Sequence, residues 1–353
     1  MARKTKKRTS FLVYSFFIIL LIFGGIGYHY YQIIFVKPFS ANVSFPDTLY
    51  IPTGSHFKDV KQHLLASGLL PNEDEALFEI IAEKKNLPRH IYPGRYIFRK
   101  AVSLNALINR LRTGKQDPVK IIINSNIRKL PDLITRVGKK LETSPDDILE
   151  KLSNKNYIQR LGFDNHTILA LFIPNTYEFL WNTSADQFID RMVKEYHRFW
   201  TKERRQKAKK LHLSPVEITT LASIVQKESL KKDEQPIIAG VYINRLRKGM
   251  LLQADPTVIY AIGDFSKRRL LRKDLDYDSP YNTYKYNGLP PGPICVPSRS
   301  CIDAILNYKH HRYLYFCAKE DFSGRHNFAS TLSQHNRNAK KYQHALNKRK
   351  IYN

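Results

Sequence analysis

The chain has 353 residues with 42% hydrophobic content, enough to bury a proper core in two or three domains, which excludes a disordered low-complexity polymer. Its formal net charge of +27, from 58 Lys and Arg against 31 Asp and Glu, implies an acidic partner: nucleic acid, anionic lipid headgroups or a polyanionic wall polymer. The basic residues are scattered, so most are expected on a solvated face.

The first forty residues choose among these partners. Residues 1–10 form a basic tail with Arg3, Lys4, Lys6, Lys7 and Arg8, and residues 11–36 then carry no formal charge. At about 1.5 Å rise per residue that run crosses a hydrocarbon core of roughly 30 Å with some tilt. It reads as a single-pass transmembrane helix. The positive-inside rule keeps Met1 cytoplasmic, so the cytoplasmic (inner) membrane is one partner and the body after Lys37 is extracytoplasmic, or periplasmic. A cleaved signal peptide is the competing reading, but the run is long and ends in Tyr28, Tyr30 and Tyr31, an aromatic belt. An exported body argues against nucleic acid. Cys295, Cys301 and Cys317 are an odd count outside a reducing compartment; a Cys295–Cys301 bridge is one reading and isolated buried thiols the favoured one, with no metal-ligand spacing and no cofactor motif.

Residues 41–46 read as a short extended exit from the membrane. A strand over 48–52, a turn at Gly54 with Ser55 as cap, a helix over 57–67 closed by Gly68, a second helix over 72–85 and a strand over 94–98 make a small α+β module, 43–115, with the helix 103–112 ended by Gly114. Its acids sit on polar faces, so it carries no catalytic constellation. A connecting lobe, 116–212, follows: a strand over 119–123, helices over 130–141, 145–152 and 185–200, and between them a strand and turn over 173–181 in which Glu178 is expected to fix the turn.

The core, 213–346, is organised around Ser214 to Gly249, which reads as two consecutive helices. Ser214 is a good N-cap, Pro215 suits the first helical position and Glu217 completes a capping box. Leu221, Ile224, Val225 and Glu228 fall at i, i+3, i+4 and i+7, so Glu228 lies in line with the apolar stripe, while Gln226, Lys227 and Lys231 take the wet side. Burial raises a carboxyl pKa toward neutrality and makes a general acid. The other reading pairs Glu228 with Arg245 or Arg247 of the next helix.

Residues 252–294 are dense in Pro and Gly and read as a stiff loop. They hold Gln253, Asp255, Thr257, Tyr281, Asn282, Thr283 and Tyr284, planar amides, hydroxyls and aromatic faces of the kind that hold sugar hydroxyls and acetamides. The alternative is that these groups tie the loop together.

The motifs LASIVQKES (221–229), INRL (243–246), LQADPTVIYA (252–261), SPYNTY (279–284), GLPPGPI (288–294), YLYF (313–316) and HNFASTLSQHN (326–336) resemble, in order, those of the YceG-like family of endolytic murein transglycosylases. The resemblance implies an α+β fold with an anchor, a LysM-like module and a catalytic domain. It implies peptidoglycan glycan strands as substrate, peptidoglycan synthases as partners and Glu228 as the catalytic glutamate, and the loop residues Gln253, Asp255, Thr257 and 281–284 are then expected to bind that substrate. It further implies cleavage of the MurNAc–GlcNAc bond within nascent strands to 1,6-anhydro-MurNAc ends, which limits strand length; the alternative is a non-catalytic peptidoglycan-binding scaffold. The chain departs from the pattern at Gln226, where a Glu is usual, at Gln334, and at Val296 and Ser298.

Overall fold

The structure, a computed structural model, describes residues 2–36, 47–125, 127–267 and 270–349. The expected extended exit, 41–46, lies outside these. The chain divides into two compact units, Met1–Val119 with Glu178–Thr183, and Lys120–Tyr177 with Ser184–Asn353.

The first unit opens with helix α1 (Ala2–Tyr31), which continues through a wider helical turn over Gln32–Val36. Its segment Val13–Val36 has a mean hydropathy of 1.6 and is long and apolar enough to cross a bilayer, and large side chains such as Phe17 and Leu21 are exposed along it. Strand β1 (Asp47–Ile51) pairs antiparallel with β2 (Gly94–Phe98), Asp47 opposite Phe98 and Ile51 opposite Gly94. Between them run α2 (Phe57–Ala66) and α3 (Glu75–Lys84), and α4 (Leu104–Arg112) follows. The period of two on the strands and of 3.6 on the helices brings Leu49, Ile51, Tyr96 and Phe98 onto Val60, Leu64, Phe78 and Leu107 in one core. The cap of α2 sits one residue beyond the expected Ser55, at His56, whose backbone N–H donates to the Asp59 carboxylate at 2.8 Å.

Strand β3 (Val119–Ile123) pairs with β4 (Asn175–Phe179). Glu178 was expected to fix a turn; it lies instead on the exposed face of β4, where strand alternation turns Tyr177 and Phe179 inward. Helices α5 (Leu130–Gly138), α6 (Pro145–Ser153), α7 (Lys155–Arg160), α8 (Ala185–Phe199) and α9 (Lys202–Lys210) surround these strands in the sequence. Then come α10 (Pro215–Glu228), α11 (Gln235–Arg247), α12 (Asp255–Ile262), α13 (Arg272–Leu275), α14 (Arg299–Leu306), the antiparallel pair β5 (Tyr315–Ala318) and β6 (His326–Ala329), and α15 (Leu332–Lys348).

The stretch 252–294 is therefore not all loop. Pro256 forbids continuing a helix from its N-terminal side yet suits the first turn of a new one, and Gly263, at φ +81°, ends the eight-residue α12. The Pro-Gly turn that ends the stretch packs closely: a Cβ on Gly292 would stand 2.0 Å from the His166 carbonyl oxygen. Backbone cannot yield as a side-chain tip does. Gly292→Ala is expected to cost roughly 1–3 kcal/mol of overpacking, read as a lower denaturation midpoint, whereas Gly249→Ala, with open space around it, carries only the strain of its φ of +63°.

Candidate active site

Helix α10 starts as its sequence dictates: Ser214 Oγ accepts from the Glu217 N–H at 3.2 Å, and Glu217 Oε2 accepts from the Ser214 N–H at 2.7 Å. Beyond this cap the helix is buried on nearly all sides. Ile218, Leu221, Ala222, Ile224 and Val225 are fully enclosed, Ser223 Oγ accepts from the Ile294 N–H at 3.0 Å, and the Cys301 thiol donates to the Ala222 carbonyl at 3.2 Å. Cys295 and Cys301 are buried free thiols, so the bridge reading gives way to the thiol reading.

Glu228 is the last residue of this helix and opens on a cleft of about 280 Å³. Leu252, Gln253, Asp255 and Tyr284 line it from the loop and α12; Arg245 lines it from α11; Phe316, Cys317, Ala318 and His326 line it from the β5–β6 pair. The Tyr242 hydroxyl donates to Glu228 Oε1 at 2.8 Å, and Oε2 has no protein partner among the described residues. Burial pushes the Glu228 carboxyl up to about 7; the Tyr242 hydrogen bond opposes this, the Asp255 charge adds to it, and Arg245 pulls the other way.

The Arg245 guanidinium is committed elsewhere. Its Nε donates to the Leu314 carbonyl at 2.6 Å and its Nη1 to the carbonyls of Leu251 and Leu252 and to Gln253 Oε1. Among the described residues Glu228 forms no ion pair with Arg245 or Arg247, so the paired-carboxylate alternative does not hold. Gln226 was expected on the wet side, but it is buried: its amide oxygen accepts from the Ser298 N–H at 2.8 Å and its amide nitrogen donates to the Ser125 carbonyl at 3.4 Å. Residues 218–226 are all buried, so this part of the helix has no wet side to offer it.

Of the seven loop residues, the structure gathers Gln253, Asp255 and Tyr284 at the cleft, with the Tyr284 hydroxyl donating to the Asp255 carboxylate. Thr257 and Thr283 are enclosed and share a hydroxyl–hydroxyl contact at 2.9 Å, and the Asn282 amide donates to the carbonyls of Leu275 and Tyr277. These three hold the loop that presents the others. Tyr281 packs on Tyr260, ring centroids 4.8 Å apart, and does not line this cleft.

Sequence reasoning missed Tyr242, fourteen positions along from Glu228 on a separate helix, where no single periodicity links the two. It also missed the pair formed by Glu234 and His326. Buried Glu234 accepts from both the backbone N–H and Nδ1 of His326, each at 3.0 Å, and so joins the start of α11 to β6. Among the described residues no group of three His, Cys, Asp or Glu is placed to hold a metal ion.

The model of the YceG-like family matches residues 49–341, which takes in most of both units and every residue of the cleft. The chain belongs to the YceG-like family. A protein of Bacillus subtilis named endolytic murein transglycosylase is 31% identical over 307 residues, 83% of each chain. A protein of the same name from Streptococcus pneumoniae D39 is 27% identical over 92% of this chain, which spans 64% of that longer relative. A crystal structure of a yceG-like protein from Listeria monocytogenes is 30% identical, with a TM-score of 0.54, over 82% of this chain and 98% of that one. Two of the departures from the YceG-like pattern meet, since the Gln226 side chain holds the Ser298 backbone. A neutral amide there satisfies two backbone groups and leaves Glu228 as the one carboxyl of its helical turn.

The raised pKa carries a stability consequence of definite sign. Below the ordinary value of 4.5 the carboxyl is protonated both folded and unfolded; between 4.5 and about 7 the unfolded chain releases a proton that the folded chain keeps. Stability therefore falls as pH rises through that window, by at most about 3 kcal/mol, and the cost persists above it. Glu228→Gln is expected to unfold at a higher midpoint than the parent at pH 8 and at an equal one at pH 4, by thermal scans of the full chain in detergent. An equal midpoint at both would contradict the buried carboxyl.

Proposed function

We propose that this chain is a membrane-anchored lytic transglycosylase that cuts murein glycan strands internally and leaves 1,6-anhydro-MurNAc ends. The observation that carries the reading is the Glu228 carboxyl at the enclosed end of α10, opening on a cleft beside Gln253 and Tyr284, with Asp255 and Arg245 there engaged by other groups, in a family whose relatives are named for this activity.

The steps need one acid and no water. Protonated Glu228 gives its proton to the glycosidic oxygen between MurNAc and GlcNAc, that C–O bond breaks, and GlcNAc leaves with a new hydroxyl. The carboxylate then takes the proton of the MurNAc C6 hydroxyl as O6 bonds to C1, and Glu228 is protonated again. A two-acid hydrolase differs in requiring a second carboxylate to activate water or attack the sugar. Tyr242 holds one carboxylate oxygen through both steps, so the group does not rotate away between its acid and base roles. Asp255 is engaged by Tyr284 and serves the charge near Glu228 rather than a second proton transfer. Gln253 and Tyr284 contact the sugars and steady the oxocarbenium-like centre, and 281–283 hold that loop in place.

The apolar helix over Val13–Val36 supports anchoring in the cytoplasmic membrane, with the basic tail inside and the chain after Lys37 outside, beside peptidoglycan synthases. The strand–helix–helix–strand order of the first unit supports a LysM-like module that grips glycan.

Incubating the full chain in detergent with intact murein is expected to release chains ending in anhydro-MurNAc, identified by mass spectrometry, with kcat/KM falling as pH rises above about 7 because the acid must be protonated. Glu228→Gln should lower the rate at least about a hundredfold. Reducing MurNAc ends would identify a hydrolase, and wild-type activity in Glu228→Gln would leave only the scaffold reading.

A further inference from the structure

A second, smaller cavity of about 80 Å³ lies beside the cleft, lined by Arg128, Lys227, Pro256, Ile259, Tyr260 and Ile294. Neighbouring residues divide between the two spaces: Glu228 and Asp255 line the cleft, and Lys227 and Pro256 line the cavity. Consecutive Cα atoms are about 3.8 Å apart, so the two spaces are neighbours on either side of these residue pairs.

Two cations face this cavity and no carboxylate lines it. Among the described residues neither Arg128 nor Lys227 makes an ion pair or a hydrogen bond, although both are partly buried. Burial holds the Lys227 ammonium below its ordinary range; the nearby Cys295 opposes this and the Arg128 charge adds to it. Cations brought together out of water without a counter-charge are costly, and an anion seated between them removes that cost. The Arg128 guanidinium lies 4.2 Å over the Phe265 ring, and a guanidinium's fork of N–H groups matches a planar anion. The remaining walls, Pro256, Ile259, Ile294 and the Tyr260 ring, are apolar. The space equals about two or three waters, which suits a carboxylate with a small alkyl group beside it and is too tight for a sugar ring. Tyr281 backs this wall through its contact with Tyr260, which gives that residue a place beside the cavity rather than in the cleft.

We propose that Lys227 and Arg128 form a carboxylate subsite that receives the peptide stem carried by the MurNAc residue next to the scissile bond. The inference deepens the transglycosylase reading and rests on it for the identity of the peptide. The enzyme then selects strands whose stems end in a free carboxylate on an alanine-sized residue, and a strand stripped of its peptides binds more weakly.

The test uses ligands with no glycosidic bond to cut, so that it stands apart from the chemistry of Glu228. The probes are N-acetylmuramoyl pentapeptide and the same compound with its carboxylates amidated, titrated against the full chain in detergent by calorimetry. Amidation is expected to weaken binding to the parent protein about tenfold. Lys227→Met should weaken binding of the acid about tenfold and add no further loss with the amide, because both changes remove the same contact. Lys227→Arg, which keeps the charge, should restore most of the affinity and establishes that the site is folded. Equal binding of acid and amide by the parent, or losses that add, would overturn the subsite, as would inorganic phosphate displacing the acid at concentrations equal to the acid's own, which would mark a generic anion hole. A chain that binds the acid through Lys227 yet forms no anhydro ends would fail the transglycosylase reading and keep the subsite.

Discussion

Partial removal of the Glu228 carboxyl from bulk water is the constraint on which the site depends. A carboxylate costs most where solvent is least, and at the end of a helix enclosed on nearly every face its charged form is disfavoured until about pH 7. Tyr242 keeps that shift from going further by donating to one oxygen, and it fixes the orientation of the group. Arg245 sits close enough to be felt and is withheld from direct contact because backbone carbonyls on two sides occupy it. Had the guanidinium been free to turn, it would have formed an ion pair and held the carboxyl ionised.

The surroundings serve that placement. Helix α11 brings Tyr242 and Arg245, and its Asn244 donates to the carbonyls of His311 and Tyr313, so the chain leading into β5 is secured to the helix that carries the acid's partner. Gly240 permits the approach, since a Cβ there would stand 2.5 Å from the Lys309 carbonyl oxygen. On the opposite side Thr257, Asn282 and Thr283 spend their polar groups within the loop, which frees Gln253 and Tyr284 to face the cleft. The pair formed by Glu234 and His326 closes the third side.

Much of this was readable beforehand where local rules operate. The capping box at Ser214 and Glu217 depends on residues three apart, and the i, i+3, i+4, i+7 line that ends in Glu228 depends on one helix. The alternation of β1 and β2 and the glycines closing α2 and α4 were equally local. What escaped was non-local or equivocal. Gln226 looks solvated by type and proved buried, because the faces of α10 are covered by residues more than seventy positions later. Asp255–Pro256 reads equally as the breaking of one helix or the start of another, and the start prevailed. The contact of Tyr242 with Glu228 depends on how two helices cross, which no periodicity in either one encodes.

Helix α10 stops at the residue that matters most. The unpaired carbonyls of a helix's final turn carry a partial negative charge, and a carboxylate placed there meets repulsion in addition to its loss of hydration. The proton affinity of this acid is thus partly a property of where the helix ends.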